Sequence, residues 1–313
     1  MKPSLVLAGA AAALIVVAGG AFALPNWALF LVTMALAKGL VSLGIVGMMR
    51  GGLVSFGQGL YYCIGAYAAA LLSNVFGVHD IFLTALAAVA ACGALGAALG
   101  PLLSTYRGIF FAMLTLSLSM VLYGTFAKIS VIGGTDGLNV ASPTFLGWAP
   151  EGLALTRALF LMAGVAAVAV GAAMRIYFDS ERGLIALAVR ENELRVEYLG
   201  ASTRNAMTWN YVFGAMLGGF GGAVAALALG HVDPEFAFWT TSGEFVFVAI
   251  LAGYLSIPAV FAGAIILEMV RSFSNLYFPN TWQIALGLFL LAVILLLPRG
   301  LGSLLERRKG GAK

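Results

Sequence analysis

The stretch Arg175-Ile-Tyr-Phe-Asp-Ser-Glu-Arg-Gly-Leu-Ile-Ala-Leu-Ala-Val-Arg-Glu-Asn-Glu-Leu-Arg-Val-Glu-Tyr-Leu-Gly-Ala-Ser-Thr-Arg204 is a charged island in an apolar chain. It holds five arginines (175, 182, 190, 195, 204) and five carboxylates (Asp179, Glu181, Glu191, Glu193, Glu197). The whole chain is only 10% charged and 62% hydrophobic over 313 residues. Its mean hydropathy is +1.01. Such an island belongs outside hydrocarbon, and short basic loops stay in the cytoplasm, so it reads as a cytoplasmic docking surface.

Working outward, apolar runs of spanning length recur at 4–24, 28–49, 54–76, 81–105, 108–128, 153–175, 206–230, 243–256, 258–276 and 281–297. The expectation is an all-α, polytopic transmembrane helical bundle of about ten spans in a single domain, 1–313. The run 243–256 is short for a span and is expected to cross or to re-enter. The 40 glycines fit helices that approach closely. Charge orients the spans. The island and the basic tail 299–313 (Arg299, Arg307, Arg308, Lys309, Lys313) are four spans apart, which puts both inside, with Lys2, Arg50 and Arg107. The remaining loops carry Asp80, Asp136, Glu151, Asp233 and Glu235 and face outward. Lys2, an apolar run and Ala21-Phe22-Ala23 imitate a secretory signal; a retained first helix is the expectation.

Local chemistry is sparse. Cys63 and Cys92 lie in apolar runs and imply neither disulfide nor metal site. No basic run sits among aromatics on a polar face, so nucleic acid is not an expected partner. Residues 50–67 are too glycine-rich and polar for a lipid-facing helix. Ser55, Phe56, Gln58 and Tyr61 read either as lining a polar pathway or as helix-packing contacts. Thr115, Ser117 and Ser119 in the fifth run read as helix-packing hydroxyls or, for Thr115 and Ser117, as part of the same pathway. Gly133-Gly-Thr-Asp-Gly-Leu138 is an outer turn or part of an external gate, with Thr135 and Asp136 its polar members. Among intramembrane charges, Glu268 and Arg271 are three apart and can pair on one helix, whereas Lys38 has no local partner. Within the island, two short helices are expected, flanking the polar corner Arg190-Glu191-Asn192-Glu193 and stopping at Gly200.

These motifs together resemble one family. Ser180–Gly200, with Glu181-Arg182-Gly-Leu and the corner Arg190–Glu193 followed by Arg195, is similar to the coupling loop of branched-chain amino-acid (Liv-type) permeases of ABC importers, the M-type subunit best. The resemblance extends to Gly51-Gly-Leu-Val-Ser-Phe-Gly-Gln-Gly59, Tyr61 to Tyr67, Arg107-Gly-Ile-Phe-Phe-Ala-Met-Leu-Thr-Leu116 and Gly133–Leu138. It continues in Thr241-Ser-Gly-Glu244 and Pro298-Arg-Gly-Leu301. It implies a coupling loop at 176–205 and a permease of the bacterial inner membrane, both termini cytoplasmic. Implied partners are a second, similar permease, two cytoplasmic ATPases that bind ATP-Mg, an extracytoplasmic solute-binding protein and membrane lipid. No cofactor and no catalytic residue is expected on this chain. One stretch departs: where the family has Gly-Gly-x-Gly-Thr-x-x-Gly-Pro-x-x-Gly-Ala, this chain has Ala252-Gly-Tyr-Leu-Ser-Ile-Pro-Ala-Val-Phe-Ala-Gly-Ala264, which leaves the solute open among branched-chain amino acids, amides, urea and aromatic acids. The competing reading is a stand-alone secondary transporter or channel, coupled through Glu244 and Glu268. No His/Asp cluster or Ser–His pair supports a membrane enzyme.

Overall fold

The computed structural model describes residues 3–254, 256–279, 281–296 and 300–302. Lys2, Leu255, Pro298, Arg299 and the tail from 303 lie outside the described residues. Each expected apolar run becomes a helix: α1 (Pro3–Ala23), α2 (Asn26–Met49), α3 (Gln58–Val75), α4 (Ile81–Leu103), α5 (Gly108–Phe126) and α6 (Leu153–Phe178). After the two island helices α7 (Glu181–Glu191) and α8 (Glu193–Tyr198) come α9 (Thr203–Leu229), α10 (Trp239–Ala252), α11 (Ile257–Tyr277) and α12 (Trp282–Leu296). Seven of these are long and apolar enough to cross a membrane; α10 and α12 are shorter apolar helices. The molecule is a multi-pass membrane protein.

Burial ranks the helices. The apolar window of α2 is 89% buried and that of α9 is 67% buried, whereas that of α1 is 6% buried. Helices α2, α3 and α4 wrap α9, and α1 rests on α6 at the periphery. Glycine permits this central packing. A Cβ on Gly44 of α2 would lie 2.8 Å from the Cα of Gly214 of α9, and one on Gly222 of α9 would run into the carbonyl of Tyr62 on α3.

The third and eighth runs depart from straight spans. Residues 50–57 are not helical, and α3 begins only at Gln58. The Gln58 side chain packs between Gly214 and Gly218, the centre of α9. The chain therefore travels to mid-depth as irregular backbone before it turns helical. The connection after α9 does the same from the other side: strand β2 (His231–Val232) pairs with β1 (Leu138–Asn139), then a 3-10 turn, Pro234–Ala237, leads to α10. Ala237 bonds to Ser119, near the middle of α5. The span expected at 243–256 is thus the 14-residue helix Trp239–Ala252, about 21 Å long, against roughly 30 Å of hydrocarbon.

Candidate functional site

The two irregular segments meet inside the bundle, where every backbone N–H and C=O needs a partner from protein. Hydroxyls supply several. Thr115 Oγ accepts from Phe56 N–H at 3.2 Å, and Ser119 Oγ donates to the Ala237 carbonyl at 2.7 Å. Both lie on one face of α5, four residues apart. Ser242 Oγ accepts from Gly59 N–H at 3.0 Å, and Ser55 Oγ from Gly57 N–H at 3.2 Å. Phe236 stacks on Tyr62 with centroids 5.0 Å apart. The arrangement brings the N-termini of α3 and α10 together at mid-depth, the pattern that broken transporter helices use to aim positive dipole ends at a path.

The residues expected there are placed as follows. Ser55, Gln58, Tyr61 and Thr115 are buried within the single chain, and Phe56 is half-buried. Tyr61 donates its hydroxyl to Tyr211 of α9 at 2.9 Å. The Gln58 amide has no hydrogen-bond partner among the described residues. Ser117 faces the other way, exposed on a stripe with Phe110, Met113, Leu114 and Val121, its Oγ bonded back to the Met113 carbonyl at 2.9 Å. Sequence reading missed Ser119 and Ser242 as partners of irregular backbone.

The intramembrane charges meet across helices. Lys38 of α2, expected to lack a local partner, reaches Glu244 of α10 at 3.2 Å and Glu268 of α11 at 2.8 Å. Arg271, expected to pair along α11, reaches across to Glu244 at 3.2 Å. Two cations and two anions thus form one formally neutral network over three helices. The partners of Lys38 lie 206 and 230 residues away in sequence, beyond any local pattern.

At the island end, α7 starts with a Ser180 cap whose Oγ accepts from Gly183 N–H. Asn192 ends α7 and caps α8, its Oδ1 accepting from Arg195 N–H at 2.9 Å. The two helices bury Ala186, Val189 and Val196 against the bundle. Glu193 is turned inward: Arg107, at the start of α5, grips its carboxylate through Nε (3.0 and 3.2 Å) and Nη2 (2.6 Å). Those hydrogen bonds hold the Glu193 carboxyl below the usual carboxylate range. Glu197 accepts from Thr203 at 2.7 Å. Arg182 lies over the Trp209 ring at 5.5 Å, and Arg190 over Tyr254 at 3.8 Å. Facing outward are Glu181, Glu191, Asn192, Arg195 and Gly200, interleaved with Leu184, Leu194, Tyr198 and Leu199, the last two 89% and 81% exposed. Apolar and charged groups therefore stand side by side, exposed, on two anchored helices, and aliphatic and aromatic side chains so placed gain most from being covered.

On the opposite face, Gly133 (φ +89°) and Gly137 (φ +74°) turn the chain so that Thr135 and Asp136 stand exposed beside the β1–β2 pair. Both backbone conformations favour glycine.

Residues 27–297 match a family model described as the permease component of branched-chain amino acid transport systems. The chain is similar to the high-affinity branched-chain amino acid transport system permease protein LivM of Escherichia coli (strain K12). That likeness is 27% identical over 300 residues, covering 86% of this chain and 68% of the relative. A relative with the same description from Salmonella typhimurium (strain LT2) is 24% identical over 322 residues, covering 93% of this chain and 73% of its own. No solved structure matches.

Proposed function

The chain belongs to the permease component family of branched-chain amino acid transport systems, and on that premise we propose that it forms half of the translocation pathway of an ATP-driven importer. A second, related permease completes the path, and two cytoplasmic ATPases bind and hydrolyse ATP-Mg. The solute is a branched-chain amino acid or a related small polar or amphipathic molecule, delivered by an extracytoplasmic binding protein that meets the face carrying Thr135 and Asp136. In this reading the island is cytoplasmic, as are both termini, in a bacterial inner membrane.

The observation that carries the proposal is the α7–α8 pair. Glu181, Arg182, Glu191, Asn192 and Arg195 offer hydrogen-bonding groups to an ATPase groove, while Leu194, Tyr198 and Leu199 supply apolar contact. Arg190 and Glu193 act from behind, fixing the pair to the bundle so that a displacement of the dock moves α5 and the α10–α11 hairpin. The path runs along α5 and the irregular segment: Ser117 from the exposed stripe, and Ser55, Phe56, Gln58, Tyr61 and Thr115 from the buried junction. The competing secondary-transport reading has little material, because Glu244 and Glu268 are already matched by Lys38 and Arg271.

Glu191→Ala in the reconstituted complex is expected to lower uptake per ATP hydrolysed while the chain inserts and assembles normally. Unchanged coupling would remove the corner from the mechanism. For orientation, single cysteines at Glu151 and Glu235 are expected to label from outside and one at Asn192 only after permeabilisation; labelling of Asn192 in intact cells would reverse the topology.

A further inference from the structure

The break between α10 and α11 lies directly against the island. Gly253, at φ +73°, ends α10, and Leu301 N–H donates to the Leu251 carbonyl at 2.8 Å beside it. Tyr254 follows, half-buried, and two cations take hold of it. The Arg190 guanidinium lies 3.8 Å from the ring centroid, and Arg50 Nη1 donates to the Tyr254 carbonyl at 3.5 Å. Arg50, the residue after α2, also lies over the Phe178 ring at the end of α6, 4.3 Å from its centroid. Gly52 passes so near that a Cβ there would sit 3.6 Å from Arg190 Cγ. Arg190 in the last turn of α7 therefore contacts both the α10–α11 break and the irregular segment that leads to Gln58.

The same hairpin is gripped again at mid-depth. Glu244 on α10 and Glu268 on α11 both hold Lys38 of α2. The hairpin thus has a fixed hold within the membrane, on Lys38, and a second hold at its island end, on Tyr254. A push or pull at the island end acts on a body already pinned at mid-depth, which converts a displacement of α7 into a tilt of α10 and α11. Rigid elements joined at few points move in this way, by hinging at the joint rather than by stretching.

We infer that Tyr254 is the positioning residue through which the docking helix α7 tilts the α10–α11 hairpin, with the Arg190–Tyr254 stack as the joint. The inference rests on the reading of α7–α8 as the ATPase dock. The stack suits the work because a guanidinium over an aromatic face needs no particular in-plane angle, so the contact survives rotation of α7. Phenylalanine keeps that face; leucine keeps the bulk and loses it.

The test uses the complete transporter with its ATPase subunits, in nanodiscs, and reads motion rather than uptake. Spin labels at Asn275, exposed at the far end of α11, and at Glu151, exposed ahead of α6, report hairpin tilt by electron–electron distance, nucleotide-free and with ATP plus vanadate. Nucleotide is expected to shift the distance in the native chain and in Tyr254→Phe. In Tyr254→Leu and Arg190→Met the ratio of shifted to unshifted population should fall about threefold or more, the equilibrium factor that loss of an ordinary cation–π contact produces, with ATPase subunits still bound. Arg190 is exposed, so Arg190→Met decides the matter if Tyr254→Leu does not assemble. A full shift in both variants, or no shift in the native complex, overturns the inference. ATPase subunits absent from the native complex would instead overturn the docking reading beneath it.

Discussion

Replacing Lys38 by methionine keeps the length of the side chain and removes the one charge that two carboxylates share. Glu244 retains Arg271 at 3.2 Å, but Glu268 loses its 2.8 Å contact. The site is well removed from water: the side chains of Lys38, Glu244 and Glu268 are 8%, 11% and 15% exposed. Breaking one partner out of a buried ion pair costs about 3–5 kcal/mol in soluble proteins. Hydrogen bonds between membrane helices measure lower, about 0.6 kcal/mol on average and up to roughly 1.7. The expected loss for Lys38→Met lies between these bounds, about 2–4 kcal/mol. Equilibrium unfolding in mixed micelles, run as a cycle with Glu268→Gln, measures it. The double substitution leaves the Glu244–Arg271 pair in place and is expected to recover at least half of the loss. A single-variant deficit under about 0.5 kcal/mol, or a double variant no better than Lys38→Met, would refute the claim that the network clamps three helices.

Other outcomes follow from the same contacts. The Arg107–Glu193 grip is about one-third exposed, so Glu193→Gln should loosen α8 by no more than about 1 kcal/mol. Because Arg107 lowers the folded-state Glu193 carboxyl, this stabilisation is complete above the ordinary carboxylate value, about 4.3, and is lost as pH falls through the lowered folded value; hydrogen exchange of α8 amides at graded pH reads it. Gly222→Ala drives a Cβ into the Tyr62 carbonyl, backbone that cannot move aside, and should cost about 3 kcal/mol or more or abolish folded yield. Gly124→Ala on α5 meets nothing within 4 Å and should be neutral or slightly stabilising by the same unfolding assay.

Helix positions were legible from hydropathy because each of the ten apolar runs has its own helix, and the island's two short helices followed from the Asn192 corner and Gly200. That residues 50–67 do not suit a lipid-facing helix was legible from the glycines and Gln58, but the run expected from 54 is helical only from Gln58. Its counterpart at 233–238 was read as an outer loop, although Phe236, Phe238 and Trp239 are more apolar than such a loop needs; an alternating aromatic pattern beside Asp233-Pro234 was the signal. The Lys38 network was not legible at all. Its partners come from α10 and α11, and only the packing of those helices on α2 brings them within reach. Glu193 was grouped with the docking corner because sequence cannot tell which carboxylate of a polar run turns back to the bundle; the position of Arg107 at the start of α5 decides that.

The central claim is that transport through this chain is driven by ATP hydrolysis on partner subunits. Proteoliposomes test it most directly, with a panel of labelled branched-chain amino acids, amides, urea and aromatic acids presented with the binding protein. The account predicts that the chain alone moves none of them under an imposed proton or sodium gradient, and that the complete complex moves at least one only when ATP is on the island side. Gradient-driven uptake by the chain alone, or uptake by the complex without ATP, would contradict it.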